Sequence, residues 1–184
     1  MNIIDRLLPH RSPFLMVESV VAYTGGDAPV LHAERPICSS EPVFLNAEPP
    51  LYWPSVYIIE GLGQTSNLLS LFWMLERSLA AQGLDPESIC DGLKGLENHG
   101  SNTTAKALLE ILDRDLERTI SRIGLSAAVD VQVSGRVCAG EVLHYEVERT
   151  HLLGELSRFA VRACVGEHVV LSGTMVGARI KGTV

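Results

Sequence analysis

Glu60 is the residue of this chain best placed to do chemistry. It is the one charged residue between Pro54 and Leu75, in a run otherwise apolar or uncharged. A carboxyl in such a stretch is costly to bury unless it is paired, neutralised or facing a cavity. A carboxyl facing a cavity can give or take a proton from a bound molecule. Gln64 follows four residues later, on the same face of a helix. Gly61 and Gly63 permit a close backbone approach around the pair.

The element that must carry these residues is a long helix. Pro54 suits the first helical turn, where its missing N–H is harmless and its φ is already set. The apolar run that follows predicts a buried helix to about Gln82. Upstream, Ile3 to Leu8 predicts a short amphipathic helical segment that Pro9 stops. Leu15 to Tyr23 and Ala28 to Arg35 read as a hairpin around Gly25-Gly26, followed by a loop rich in Pro and Ser. Downstream, Val129, Val131 and Val133 alternate with Asp130, Gln132 and Ser134, the pattern of a half-buried strand. Val142 to Arg149, Leu156 to Val165 and His168 to Arg179 follow as strands, separated by Gly140, Gly154 and Gly166.

Between them, about residues 84–124, lies a helical insertion. Ala105, Leu108, Leu109, Leu112, Leu116, Ile120 and Ile123 recur at helical spacing, with Asp113, Arg114, Asp115, Glu117 and Arg118 mostly outside. Packing on the domain, a lid over a substrate tunnel and a partner surface are all open roles for it. The expected fold is α+β, a single domain over residues 1–184 with an antiparallel sheet wrapped around one long helix.

The composition narrows the function. Hydrophobic residues make up 46% of 184 residues and the mean hydropathy is +0.19, which fits a large oligomer interface. A net charge of −7 argues against nucleic acid as partner, since phosphate binding needs clustered Lys and Arg. Arg158, Arg162, Arg179 and Lys181 are read as solvated charges near the C-terminus. The first residues do not form a signal peptide. The 54–75 run is long enough to raise a membrane span, but Glu60, Gln64, Thr65, Asn67 and its serines favour a core helix. Cys38, Cys90, Cys138 and Cys164 are widely spaced and read as reduced, mostly packed thiols of a cytoplasmic protein. No metal-ligand spacing and no Gly-rich phosphate loop is present, so no cofactor is expected.

Two stretches carry a family resemblance. Leu8-Pro9-His10-Arg11-Ser12-Pro13-Phe14-Leu15 and Pro54-Ser55-Val56-Tyr57-Ile58-Ile59-Glu60-Gly61-Leu62-Gly63-Gln64 resemble, in order, two motifs of the hot-dog-fold 3-hydroxyacyl-[acyl-carrier-protein] dehydratases of fatty acid and polyketide synthesis. Those motifs read Leu-Pro-His-Arg-x-Pro-Phe-Leu and Pro-Gly-Val-Leu-Ile-Ile-Glu-Ala-x-Ala-Gln. The resemblance implies the hot-dog fold, a dimer whose sheets pair, and a lyase acting on an acyl chain carried by phosphopantetheine of an acyl carrier protein. It also implies Glu60 as a catalytic carboxyl, Gln64 as the group holding it, and the N–H of Ser55 or Val56 as donor to the thioester carbonyl. His10 lies away from the family's catalytic pair and is read as structural.

The family's Gly-His-Phe-Pro-Gly segment is missing. Counting back from Glu60 puts Asn46 at its histidine position, and anchoring on the prolines puts Ala47 there. No histidine lies between His32 and His99. An amide is not a base near neutral pH, so a homodimer is expected to be weak or inactive. Because family sites draw on both protomers, the resemblance leads to a heterodimer in which a homologous dehydratase subunit supplies the histidine. A single-carboxylate thioesterase is one alternative, and a non-catalytic acyl-binding or scaffold subunit, a pseudoenzyme, is another. Tyr52 and Trp53 precede the helix where the family has smaller residues, and either narrow the acyl tunnel or fill core.

Overall fold

The inward-facing residues of the central strands set the architecture. Leu143, Tyr145, Val147 and Arg149 alternate with exposed or half-exposed neighbours, as do Ser157, Phe159, Val161 and Ala163. Period-two patterning of this kind places one face of a sheet on a core. A computed structural model of the chain describes residues 4, 7–81, 83, 89, 92, 108, 110–111 and 125–178. Its elements are β1 (Ser19–Thr24), β2 (Val30–Pro36), β3 (Tyr52–Trp53), α1 (Ser55–Ala80), β4 (Leu125–Val133), β5 (Val137–Cys138), β6 (Val142–Leu153), β7 (Leu156–Val165) and β8 (His168–Ala178). Six strands form one antiparallel sheet in the order β1-β2-β6-β7-β8-β4, and β3 pairs with β5 in a small second sheet. The sheet wraps α1, which packs chiefly on β6, then on β2 and β7. This is the expected arrangement. Among the described residues no helix is long and apolar enough to cross a membrane.

α1 turns Ile58, Leu62, Thr65, Leu68, Leu69, Phe72 and Leu79 into the sheet. Pro54 does not enter the helix as the first turn but flanks it, with ψ at 133° and its carbonyl accepting from Tyr57 N–H at 3.0 Å. The helix ends at Ala80, and Gly83 adopts the left-handed φ of +72° just beyond it. Gly154 and Gly166 have positive φ in the tight turns between β6, β7 and β8, where the sequence placed breaks.

Several expectations are corrected. The first strand begins at Ser19 rather than Leu15, because the backbone of residues 14–16 bonds to side chains instead of a neighbouring strand. β4 is not half-buried: residues 126–130 are exposed, and Val129 and Val133 are 43% and 48% exposed. Among the described residues it pairs with β8 alone, at the edge of the sheet. Of the cysteines, Cys38 is exposed while Cys138 and Cys164 are partly buried, all three unpaired. Arg158 and Arg162 are exposed on β7, while Cys90, Arg179 and Lys181 lie outside the described residues. So does most of the proposed insertion, although Ile89, Leu108 and Ile111 are helical and buried.

The tightest contact between helix and sheet is made by Tyr145. Its ring lies under Gly61, and its hydroxyl is buried with no hydrogen-bond partner among the described residues. Burial pushes the phenol above its ordinary range, with the Arg35 guanidinium pulling the other way. The unfolded chain releases this proton near pH 10 while the folded chain keeps it. Stability contributed by the neutral phenol is therefore complete below about pH 10 and is lost as pH rises toward the folded value. Tyr145→Phe is expected to leave stability at neutral pH unchanged or about 1 kcal/mol higher, since it deletes an unsatisfied hydroxyl. Urea midpoints at neutral pH and above about pH 10 check this: the variant's advantage should widen on the alkaline side.

Candidate active site

Gln64 organises the site. It is 1% exposed, and its amide makes three hydrogen bonds. Its Oε1 accepts Met16 N–H at 2.8 Å, and its Nε2 donates to Phe14 O at 2.8 Å and to Glu60 Oε1 at 2.9 Å. Flipping the amide would face N–H against N–H and oxygen against oxygen, so the network itself assigns the orientation. The side chain thus ties the 8–16 segment to the helix and holds Glu60 at once. The motif segment is folded to receive it. Arg11 Nη1 donates to both Leu8 O and His10 O at 2.7 Å, and Phe14 N–H donates to Arg11 O at 2.7 Å.

Glu60 is less buried than its apolar surroundings in sequence imply. Its side chain is 46% exposed, on the stripe of α1 that also carries Val56 and Arg77. The apolar residues around it in sequence point into the sheet, while this stripe points away. Two apolar side chains on the segments that meet at Gln64 are exposed: Val56, one turn before Glu60, at 60%, and Phe14, whose carbonyl meets Gln64, at 62%.

His10 is the residue that sequence reasoning missed. Its Nε2 lies 3.4 Å from Glu60 Oε1, and its Nδ1 is buried without a hydrogen-bond partner among the described residues. The signal available in the sequence was its motif, since His10, Phe14 and Met16 share the segment that Gln64 grips.

The remaining candidates divide. Ser55 and Val56 open α1, exposed, with N–H groups that no intrahelical carbonyl takes. Asn46 is exposed at a left-handed φ of 65° in the turn after Pro42–Phe44, and no hydrogen bond joins it to Glu60 among the described residues. Trp53 is 4% exposed, packed between Phe44 and Tyr57 at 5.9 and 5.2 Å with Arg35 over its ring. It fills core. Tyr52 is 42% exposed and carries the Arg136 guanidinium 4.9 Å over its ring. His32 and His144 lie on the sheet face opposite α1, His144 being 3.8 Å from Glu34. Among the described residues no group of three or more His, Cys, Asp or Glu is placed to hold a metal.

With a carboxyl clamped by Gln64 at the start of a helix wrapped by a sheet, the relatives are informative. The 3-hydroxyacyl-[acyl-carrier-protein] dehydratase FabZ of Pseudoalteromonas translucida is 28% identical over 176 residues, 94% of this chain and 88% of that protein. The chain is similar to FabZ dehydratases along nearly its whole length. FabZ of Vibrio parahaemolyticus is 40% identical over 73 residues, and FabZ of Nitratiruptor 42% over 69. Those alignments span 38% and 36% of this chain, and 47% and 45% of the two FabZ proteins. No protein-family model matches the chain. Among solved structures, the dehydratase heterocomplex ApeI:P from Xenorhabdus doucetiae is similar with a TM-score of 0.59 and 14% identity, covering 98% of this chain and 92% of that one. The putative thioesterase yhdA from Lactococcus lactis is similar with a TM-score of 0.53 and 9% identity, covering 98% of each chain. These two likenesses establish the hot-dog fold and nothing finer.

Proposed function

We propose that this chain contributes Glu60 to the active site of a dehydratase that acts on 3-hydroxyacyl thioesters carried by an acyl carrier protein. The observation that carries the reading is the Gln64 clamp. One buried amide joins the two segments that resemble the dehydratase motifs and holds the carboxyl of the second.

The chemistry is an elimination. A base removes a proton from C2 of the acyl chain, and the C–H electrons become the C2–C3 π bond. The C3–O bond breaks, and the departing hydroxyl takes a proton from the Glu60 carboxyl to leave as water. The N–H groups of Ser55 and Val56, at the positive end of the helix dipole, suit the thioester oxygen as charge develops there. Val56 and Phe14 offer apolar surface for the acyl chain or for a second subunit. No oxidation or reduction is involved, so the reaction calls for no cofactor beyond the phosphopantetheine arm that bears the substrate.

The base is assigned to a homologous subunit. Asn46 or Ala47 stands where the family's histidine is expected, and losing a positioned base costs about 10²–10⁴-fold. A heterodimer restores it, and β4, an open edge strand with exposed valines, offers backbone for sheet pairing. A heterocomplex on this fold has the Xenorhabdus dehydratase as its example. The test is co-expression with a dehydratase subunit that retains the histidine, followed by a 3-hydroxyacyl-carrier assay. The expected result is a one-to-one complex that dehydrates while this chain alone does not. A homodimer indifferent to that subunit overturns the pairing, and thiol release by the chain alone replaces it with thioester hydrolysis.

A further inference from the structure

The contact between His10 and Glu60 has a direction that the positions of their atoms determine. We infer that His10 is a positioning residue for the acid: as a neutral imidazole bearing its proton on Nε2, it holds Glu60 Oε1 together with Gln64. The carboxyl proton is thereby kept on Oε2. This rests on the reading of Glu60 as the proton donor in the elimination.

Three observations lead there. Glu60 Oε1 receives Gln64 Nε2 at 2.9 Å and faces His10 Nε2 at 3.4 Å, whereas Oε2 has no partner among the described residues. An oxygen that accepts from Gln64 and faces a second ring nitrogen is the worse site for a proton, so the acidic proton resides on the other oxygen. Second, His10 Nδ1 is buried and meets no acceptor among the described residues. A proton there would be an unsatisfied buried donor, while a bare lone pair is the less costly state. The proton of neutral His10 therefore belongs on Nε2, the nitrogen that faces Glu60. Third, the backbone that carries the ring is held in place, because Arg11 bonds to the His10 and Leu8 carbonyls and Gln64 to the Phe14 carbonyl. The 3.4 Å separation is longer than a formed N–H···O bond, so a small approach of the ring is all that completes it.

The same tautomer rules His10 out as the missing base. To take a proton from substrate at Nε2, the ring would have to carry its own proton on the buried Nδ1. His10 thus complements the histidine assigned to the partner subunit and does not replace it.

The test pairs a spectrum with kinetics. Long-range 1H–15N correlation of the folded chain should show His10 as the Nε2–H tautomer, with its Nε2 signal moving in Glu60→Gln; an Nδ1–H tautomer overturns the inference whatever the activity. In the assembled dehydratase, His10→Leu should lower kcat by roughly 10–100-fold with KM little changed, the scale of a lost hydrogen bond to an ionisable group. His10→Gln carries an amide donor at a similar reach and should recover most of that loss. If His10→Leu retains full kcat, or if His10→Gln is as impaired as His10→Leu, the positioning role fails. Glu60→Gln separates the two levels. Loss of activity in that variant with an unaffected His10→Leu refutes His10 alone, whereas full activity in Glu60→Gln refutes the reading of the acid itself.

Discussion

Glu60→Gln in the assembled dehydratase is expected to lower kcat by about 10²–10⁴-fold, the range for loss of a positioned acid or base, while the protein folds as before. The substitution is nearly isosteric, and the new amide oxygen can still accept from Gln64. Glu60 is 46% exposed, so removing its charge disturbs no buried ion pair. Changes at such sites usually alter stability by no more than about 0.5 kcal/mol. What disappears is the transferable proton. Because the lost interaction acts on the leaving hydroxyl, kcat and kcat/KM should fall together while KM changes little. Steady-state kinetics on a 3-hydroxyacyl-carrier substrate, with a thermal melt of the same preparation, checks both halves. An unchanged kcat would remove Glu60 from the reaction. A collapsed melt would mean that the carboxyl serves structure.

The second large effect is on stability. Gly61→Ala normally favours a helix interior by about 1 kcal/mol, yet here it is expected to destabilise the protein by about 1–3 kcal/mol. A Cβ at position 61 would lie 2.3 Å from the Tyr145 hydroxyl oxygen and 2.4 Å from the ring carbon that bears it. Tyr145 is 1% exposed in the middle of the sheet, so its ring has no open space to enter. The helix must move off the sheet or the ring must leave its rotamer. For a chain of this size the melting temperature should drop by roughly 2–4 °C per kcal/mol. Combining Gly61→Ala with Tyr145→Leu should recover part of the loss, giving a coupling energy of the size seen for residues in contact. The dehydratase motif has Ala where this chain has Gly61, and here the missing Cβ is what leaves room for Tyr145. The clash would also move the backbone beside Glu60, so activity is expected to fall along with stability.

Chain order and periodicity determined much of this protein. The alternation in β6 and β7, the glycines at their turns and the apolar run after Pro54 specify a sheet and a long helix, because these are local patterns of period two and near four. The same locality placed Gln64 against Glu60, one helical turn apart, as observed. Burial was where local reading failed. An acid within an apolar run looks buried, yet a helix turns only part of its surface to a sheet, and residue 60 falls on the other side. Leu15 to Glu18 carry strand-like residues, but part of their backbone bonding is taken by Gln64 and Arg35, 48 and 20 residues distant in the chain. Tertiary structure alone decided that Tyr145 lies under Gly61, that Trp53 fills core, and that β4 stands at the edge of the described sheet. It alone brought His10 to Glu60. Contacts between residues that far apart leave no period in a sequence, since they arise only when the loop at 8–16 is laid across a helix that must first be packed on its sheet.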